Sequence, residues 1–233
     1  MKIGFLSDAH GNVEAASRGL RVLEQHGVDQ IYFLGDAVGY IPGIDVLSFL
    51  RTNAIPCLKG NHEVMLQSPA ADREDVYQVG LTAAAMSEDL REWVAGWPAY
   101  RRLEFANADI LLVHGSPRDP TFEYVYPDCD LDQFERPCGT VTVMGHTHRP
   151  FIRKASSGAL FVNAGSCGLP RDAGDLGSAA ILDLTNNEAR ILRFAIGDAS
   201  RAAVRRAGRV HDSVTRLFGR PRPEQLEGMI VAE

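Results

Sequence analysis

The chain is poor in paired cysteine. Its four cysteines, Cys57, Cys129, Cys138 and Cys167, form no C-x-x-C pair and show no disulfide-framework spacing. A reducing cytoplasm is therefore the expected compartment. Long hydrophobic runs are also missing, since nothing approaches the roughly 18 consecutive apolar residues of a membrane span. The first motif begins at residue 8, which leaves no room for a cleavable signal peptide, so a soluble intracellular protein is expected, with no membrane partner. Nor is there a strong excess of one charge. A net charge of −6 provides no general affinity for nucleic acid or anionic membranes, and an anionic substrate would have to be drawn in by local cations.

What the chain does have is enough apolar residue for a sizeable core, 45% of 233 positions, which suits one α/β domain. The first sixty residues repeat strand, loop and helix. Lys2 to Leu6 reads as a strand, and Val13 to His26 places Ala16, Leu20 and Leu23 on one helical face before Gly27. Gln30 to Leu34 is strand-like, Ile44, Leu47 and Leu50 mark a helix ending near Asn53, and Ile55 to Leu58 reads as a third strand. From Val64 to Pro98 the pattern is helical, an insertion near the site with Leu81, Ala84, Ala85, Leu90 and Trp93 as core positions.

Strands resume at Leu103 to Phe105 and Asp109 to Val113, joined by a turn at Asn107-Ala108. Thr140 to Met144, Phe151 to Lys154, Ala159 to Asn163, Ala179 to Leu184 and Ala189 to Ala195 follow, the last four as a succession of antiparallel strands. Ser156-Ser157-Gly158 and Thr185-Asn186-Asn187 supply tight links. Two packed sheets with helices outside fit this pattern better than a single doubly wound sheet. The tail from Arg201 to Arg222 carries seven arginines and one acid, and Val204, Ala207, Val214 and Leu217 fit one stripe of a basic amphipathic helix. The expected division is a main domain over 1–197, with the 64–98 insertion, and a basic helical tail over 198–233.

Five short motifs, each placed after an apolar run, hold five of the seven histidines: Asp8-Ala-His10, Gly35-Asp36, Gly60-Asn61-His62-Glu63, His114-Gly115 and Gly145-His146-Thr147-His148. In parallel α/β sheets ligands bind beyond the carboxyl ends of strands, where Asp8, Asp36 and Asn61 fall. Imidazole, carboxylate and amide oxygen suit divalent first-row metals. Asp8, His10, Asp36, Asn61, His114, His146 and His148 make seven ligands, and with Asp36 as a bridge each of two cations receives four. Glycines beside the ligands (Gly35, Gly60, Gly115, Gly145) allow tight loops and close approach of backbone to an ion.

With these motifs in this order, the chain resembles the calcineurin-like metallophosphoesterase superfamily, whose pattern is D-x-H, G-D, G-N-H-[DE], H and G-H-x-H. The resemblance spans roughly residues 1 to 196 and is closest to the small bacterial and archaeal phosphoesterases. It implies an α/β (α+β) fold, a four-layer αββα sandwich of two mixed β-sheets flanked by helices. It also implies one cation held by Asp8, His10, Asp36 and His148 and another by Asp36, Asn61, His114 and His146, with Mn, Fe or Zn expected and Co or Ni also compatible. Asp36 and His62 would be catalytic, His62 lying beside the scissile phosphate and Asn61 also contacting it. The reaction implied is hydrolysis of a phosphomonoester or phosphodiester by a hydroxide bridging the two metals.

Arg118, Arg149 and Arg171 lie close to motifs and offer guanidinium forks for phosphate. Arg171 is the best placed, against the alternative of a salt bridge with Asp172. The substrate expected is a small phosphorylated compound, a nucleotide among the options because Tyr40, Tyr124 and Tyr126 offer stacking surfaces. Specificity should lie in Val64 to Pro98 and Pro117 to Pro137. Cys167 and Cys57 are read as packing, His26 and His211 as structural. Two other functions stay open: a non-catalytic metal-binding scaffold, as in a retromer subunit of the superfamily, and a nuclease using the arginine tail. Against the scaffold stands the retained His62, and against RNA or DNA the acidic main domain. The tail leaves a homo-oligomer open.

Overall fold

In a computed structural model, residues 1–67, 73–105, 108–186 and 188–231 are described. The chain opens with β1 (Lys2–Leu6), α1 (Val13–Gln25) and β2 (Gln30–Phe33), in which β1 and β2 pair in parallel with Ile3 opposite Gln30. Asn12 caps α1 by accepting from the Ala15 amide, and the helix stops before Gly27, which takes φ +66°. α2 (Asp45–Thr52) follows, then the helical stretch α3 (Asn61–Gln67), α4 (Glu74–Tyr77), α5 (Val79–Ala85) and α6 (Glu88–Ala95). Next come β3 (Tyr100–Phe105), β4 (Ala108–Val113), β5 (Thr140–Met144), β6 (Phe151–Lys154), β7 (Leu160–Asn163), β8 (Leu176–Asp183) and β9 (Glu188–Ala195). α7 (Gly197–Ala207), α8 (Asp212–Thr215) and the two-residue β10 (Met229–Ile230) close the chain.

The strands form two five-stranded mixed sheets, ordered β10-β9-β8-β1-β2 and β3-β4-β5-β7-β6. Alternation along each strand explains how they stack. Ile110, Leu112, Val141, Val143 and Val162 of one sheet cluster with Ile3, Phe5, Ala180 and Leu182 of the other. The opposite face of the first sheet, with Leu6, Phe33, Ala179 and Phe194, packs on Ala16, Leu20 and Leu23 of α1, Leu47 and Leu50 of α2 and Ala199 of α7. On the outer face of the second sheet, Leu111, Val113 and Phe161 meet Val125, Leu131 and Phe134, the last in a 3-10 turn at Asp132–Phe134. The result is the expected αββα sandwich of two mixed sheets. Among the described residues, no helix is long and apolar enough to cross a membrane.

Four expectations change. Ile55 to Leu58 is no strand: only Cys57 bridges to Phe33, because Pro56 has no amide to donate and the chain turns into α3 at Asn61. β6 to β9 are not one antiparallel run, since β7 pairs in parallel with β5 and the chain then crosses to the other sheet before β8. In the helical insertion Leu90 is buried and Trp93 half-buried, but Leu81, Ala84 and Ala85 are exposed. Gln78 in the left-handed region (φ 53°) breaks α4 from α5 and resets the helical phase, so Val79, Thr82 and Ala83 face inward. The tail is not one helix, because Gly208 (φ +72°) ends α7 and the chain folds back. Asn107 and Asn187, parts of the two expected turns, lie outside the described residues.

Arg193 on β9 is fully buried, its guanidinium bonded to the Asp172 carboxylate (2.6 and 3.0 Å) and to the carbonyls of Gly177, Leu176 and Glu227. A buried charge held this way is destabilising once its partner is removed. Asp172→Ala should lower stability by about 3 kcal/mol, read as a lower urea midpoint at unchanged slope.

Candidate metal centre

The motifs converge because both sheets present the carboxyl ends of their strands to one place. Asp8 follows β1, Asp36 follows β2, His114 follows β4 and His146 follows β5. The loops are stitched together by their backbones: Asp8 N donates to Gly35 O (2.9 Å), His10 N to Asp36 O (3.1 Å) and Gly145 N to His114 O (3.0 Å). Asn61 and His62 arrive on the first turn of α3.

Hydrogen bonds to carbonyls fix which ring nitrogen each histidine presents, since a carbonyl oxygen can only accept. Nδ1 of His10 donates to Val38 O (2.9 Å), Nδ1 of His114 to Leu34 O (2.9 Å) and Nδ1 of His148 to Leu169 O. His146 is turned the other way, its Nε2 donating to Phe122 O (3.1 Å). The remaining nitrogens point together: His10 Nε2 and His148 Nε2 are 3.0 Å apart, and His114 Nε2 and His146 Nδ1 are 3.1 Å apart.

The carboxylates are divided in the same way. Asp8 Oδ2 accepts from the His146 amide (3.0 Å) and Asp36 Oδ1 from the His62 amide (2.9 Å). Their other oxygens face the imidazoles. Asp8 Oδ1 lies 3.1 Å from His148 Nε2, while Asp36 Oδ2 lies 3.6 Å from His10 Nε2 and 3.4 Å from His114 Nε2. Asn61 Oδ1 is 3.3 Å from His114 Nε2. Two donor groups result, Asp8-His10-His148 and Asp36-His114-His146, and a third, His10-Asp36-His62, shares Asp36 with the second and His10 with the first. All these side chains are buried, and Asp8 Oδ1 has no hydrogen-bond partner among the described residues. Inward nitrogens in pairs and an orphaned carboxylate oxygen are the donor chemistry that a divalent cation satisfies.

With only protein charges acting, burial disfavours every charge here, but the cluster still holds its carboxylates ionised. Burial would raise Asp36 and Asp8, yet facing imidazoles, His114 and His62 for the former and His148 and His114 for the latter, bring both well below the carboxylate range. Burial and the neighbouring His148 hold His10 down, and burial with His114 brings His146 to about 4. His114 alone is pushed up, to about 9: burial opposes this, but the charges of Asp36 and Asp8 prevail. The site is thus an acceptor of positive charge.

The backbone is strained to make this arrangement. Asp8, His10, Asp36, His146 and His148 all adopt left-handed φ between 47° and 66°, a region that costs a residue with Cβ about 1 kcal/mol or more. Glu63, named in the third motif but given no role from sequence, helps to hold the strain. Its buried carboxylate accepts from the amides of Asp36 (2.7 Å), Ala37 (2.8 Å) and Gly60 (2.8 Å) and more weakly from Val38 (3.4 Å). The signal was present, because Gly60 and Glu63 stand as N-cap and N3 of α3, the spacing of a capping box. Burial and the Asp36 charge raise the Glu63 carboxyl to about 7, against the pull of those amides.

His62 is buried beside the cluster. Its ring lies edge-on to His10 (4.8 Å between centroids) and between Tyr40 (4.8 Å) and Tyr77 (5.3 Å), and burial lowers its pKa. Gly39 is required beside it, since a Cβ there would stand 1.9 Å from His62 Nδ1. Tyr77 was not singled out from sequence, and an aromatic residue in a helical stretch carries no signal of this role. Tyr124 stacks on His146 at 3.8 Å and on Tyr126 at 5.6 Å, and both tyrosines remain partly exposed.

The three arginines part company. Asp172 is taken by Arg193, and among the described residues the Arg171 guanidinium makes one hydrogen bond, to Tyr40 Oη (3.0 Å), and no ion pair. The Arg118 guanidinium is engaged by Glu123 and by Gln133 (2.8 Å) and lies over the Phe134 ring. Arg149 is exposed. Cys167 and Cys57 are buried with thiols pushed up by burial, which fits packing. His26 bonds to Val22 O within its helix end, and His211 caps α8.

A sequence profile of the calcineurin-like phosphoesterase superfamily domain matches residues 1–187. The chain belongs to that superfamily. Among relatives of this phosphoesterase domain, an uncharacterised protein of Methanocaldococcus jannaschii is 25% identical over 211 residues, 82% of this chain and 86% of the other. The crystal structure of a metallophosphoesterase from Sphaerobacter thermophilus is 27% identical, with a TM-score of 0.72 over 93% of this chain and 98% of that one. A Pyrococcus horikoshii protein shares the fold at 16% identity and a TM-score of 0.76, covering 93% and 97% of the two chains. Within the superfamily fold, Glu63 is open to a direct test. Glu63→Gln substitutes an amide, with its own donors, for an acceptor of several backbone donors, and Mn²⁺ affinity measured by calorimetry should fall by about tenfold or more.

Proposed function

We propose that this protein is a hydrolase of phosphomonoester or phosphodiester bonds that works with two divalent cations. The observation that carries the reading is the shared position of Asp36, whose Oδ2 faces His10 on one side and His114 on the other. Asp8, His10, Asp36 and His148 would hold one cation, and Asp36, Asn61, His114 and His146 the other, with Mn, Fe or Zn suited to the donor set and Co or Ni also compatible. When bound, the cations supply Lewis acidity, neutralising phosphoryl oxygens and lowering the pKa of water from about 15.7 toward 7.

The chain's own residues do the rest. His62, held by Tyr40, Tyr77 and Gly39, donates a proton or hydrogen bond to the departing oxygen. Among the described residues Arg171 makes no ion pair, so it grips a phosphate oxygen, while its bond to Tyr40 keeps it oriented. Asn61 offers an amide beside the same phosphate. Tyr124 and Tyr126 form a stacked, part-exposed wall, so the substrate is a small phosphorylated compound for which a planar group such as a nucleobase is favourable. All four cysteines are free thiols, which supports a reducing cytoplasm. Residues 1–197 serve as the catalytic unit, and 198–233 are appended to it.

Protein stripped of metal and refilled with Mn²⁺ should hydrolyse a nitrophenyl phosphomonoester or phosphodiester. His62→Ala should lower kcat by about 10²- to 10⁴-fold at full metal content, and Asp36→Asn should lose both metal and turnover. Bound metal with no turnover on either ester, or on a panel of nucleotides, would favour the scaffold reading instead.

A further inference from the structure

The C-terminal segment after α8 lies beyond the residues matched by the superfamily, and it runs directly over the loop that carries Arg171. Arg220 Nη1 donates to the Arg171 carbonyl (2.6 Å), and the Gly174 amide donates back to Arg220 O (3.0 Å). Arg222 pairs with Asp175 at 2.7 Å. Farther on, Glu227 O accepts from the buried Arg193, the residue that also anchors Asp172, and β10 adds to the sheet beside β9. The contact at Gly174 is close enough to exclude a side chain, since a Cβ there would meet Leu217 O at 2.4 Å and Phe218 O at 2.7 Å.

Arg171 is therefore fixed on every side. Its amide donates to His148 O (3.2 Å), its carbonyl accepts from Arg220, and its guanidinium bonds Tyr40 Oη. The acidic residues flanking it, Asp172 and Asp175, which would otherwise compete for its charge, are engaged by Arg193 and Arg222. The same tail reaches the other wall of the site: His211 Nε2 lies 3.8 Å from Asp75 on α4, the short helix that carries Tyr77.

We propose that residues 216–230 form a strap that positions Arg171, and that Arg220, Arg222 and Gly174 thereby set how tightly the phosphate ester is held. The proposal rests on the reading of Arg171 as the phosphate-gripping cation. The strap acts through Arg171 and touches no reacting atom, so its residues are positioning residues. It also gives the arginine-rich tail a purpose that requires no polyanion.

The test uses the full-length, Mn²⁺-loaded protein in two independent forms, Arg220→Ala with Arg222→Ala, and Gly174→Ala, which pushes the strap away without altering a charge. KM for the nitrophenyl ester and Kd for inorganic phosphate should both rise by about three- to tenfold, the effect of one or two lost hydrogen bonds, with kcat and metal content held. Arg222→Lys should restore much of the loss. Placed in an Arg171→Ala background, the same changes should add nothing; an equal rise there would overturn the proposal, as would unchanged KM and phosphate affinity. Hydrogen exchange at the amides of 172–176 separates this proposal from the phosphoesterase reading. Faster exchange in both variants supports the strap even if no ester is turned over, and unchanged exchange overturns it.

Discussion

Two carboxylates and four inward-facing imidazoles cannot share one buried space unless something fixes their polarity. Here the backbone does. Three histidines donate Nδ1–H and one donates Nε2–H to carbonyls, and each carboxylate gives one oxygen to a main-chain amide. What remains for the centre is a set of inward-facing nitrogens and carboxylate oxygens, a demand for positive charge in a low-dielectric setting. The carbonyls and amides that impose this belong to the loops after β2, β4, β5 and β7 and to the first turn of α3, so the two sheets must stack with these loops together before the site exists at all.

That requirement explains where strain sits. Five of the clustered donor residues hold left-handed φ, and a cross-linking carboxylate, Glu63, ties the Asp36 loop to the start of α3. Strain of this kind persists only where the surroundings over-determine it. The sandwich core offers that support on one side, through Ile3, Phe5 and Leu34 against Ile110 and Val143, and the Ser166–Leu169 turn offers it on another, with Ser166 Oγ donating to Asp8 O. The same logic extends outward to the Arg193–Asp172 pair and the C-terminal segment, which hold the loop bearing Arg171.

Legibility followed the strength of local signals. β1, α1 and β2 could be read almost residue by residue, because their apolar period and their glycine and asparagine boundaries are set within a few positions. The described residues of the insertion are helical as expected and Leu90 is buried, but the face of α5 differs, because Leu81 is apolar by composition while a left-handed Gln78 upstream decides which way it points. Ile55 to Leu58 looked like a strand from its apolar character, but a strand is a pairing, and Pro56 removes one of the donors that pairing needs. The apolar stripe of Val204, Ala207, Val214 and Leu217 looked continuous only because a 3.6-residue period tolerates a break at Gly208 when the apolar residues on both sides happen to match.

The sequence by itself determined the donor chemistry: five motifs, in order, each after an apolar run, are local facts written in adjacent residues. It also determined the layered α/β class, since that follows from the spacing of apolar residues. Tertiary structure alone decided which nitrogen each histidine presents, that Asp172 belongs to Arg193 and leaves Arg171 without an ion pair among the described residues, that Glu123 engages Arg118, and that the tail folds back over the loop bearing Arg171. Each of these is a choice between partners far apart in the chain. Such choices depend on distance and burial in the folded molecule, and no local pattern records them.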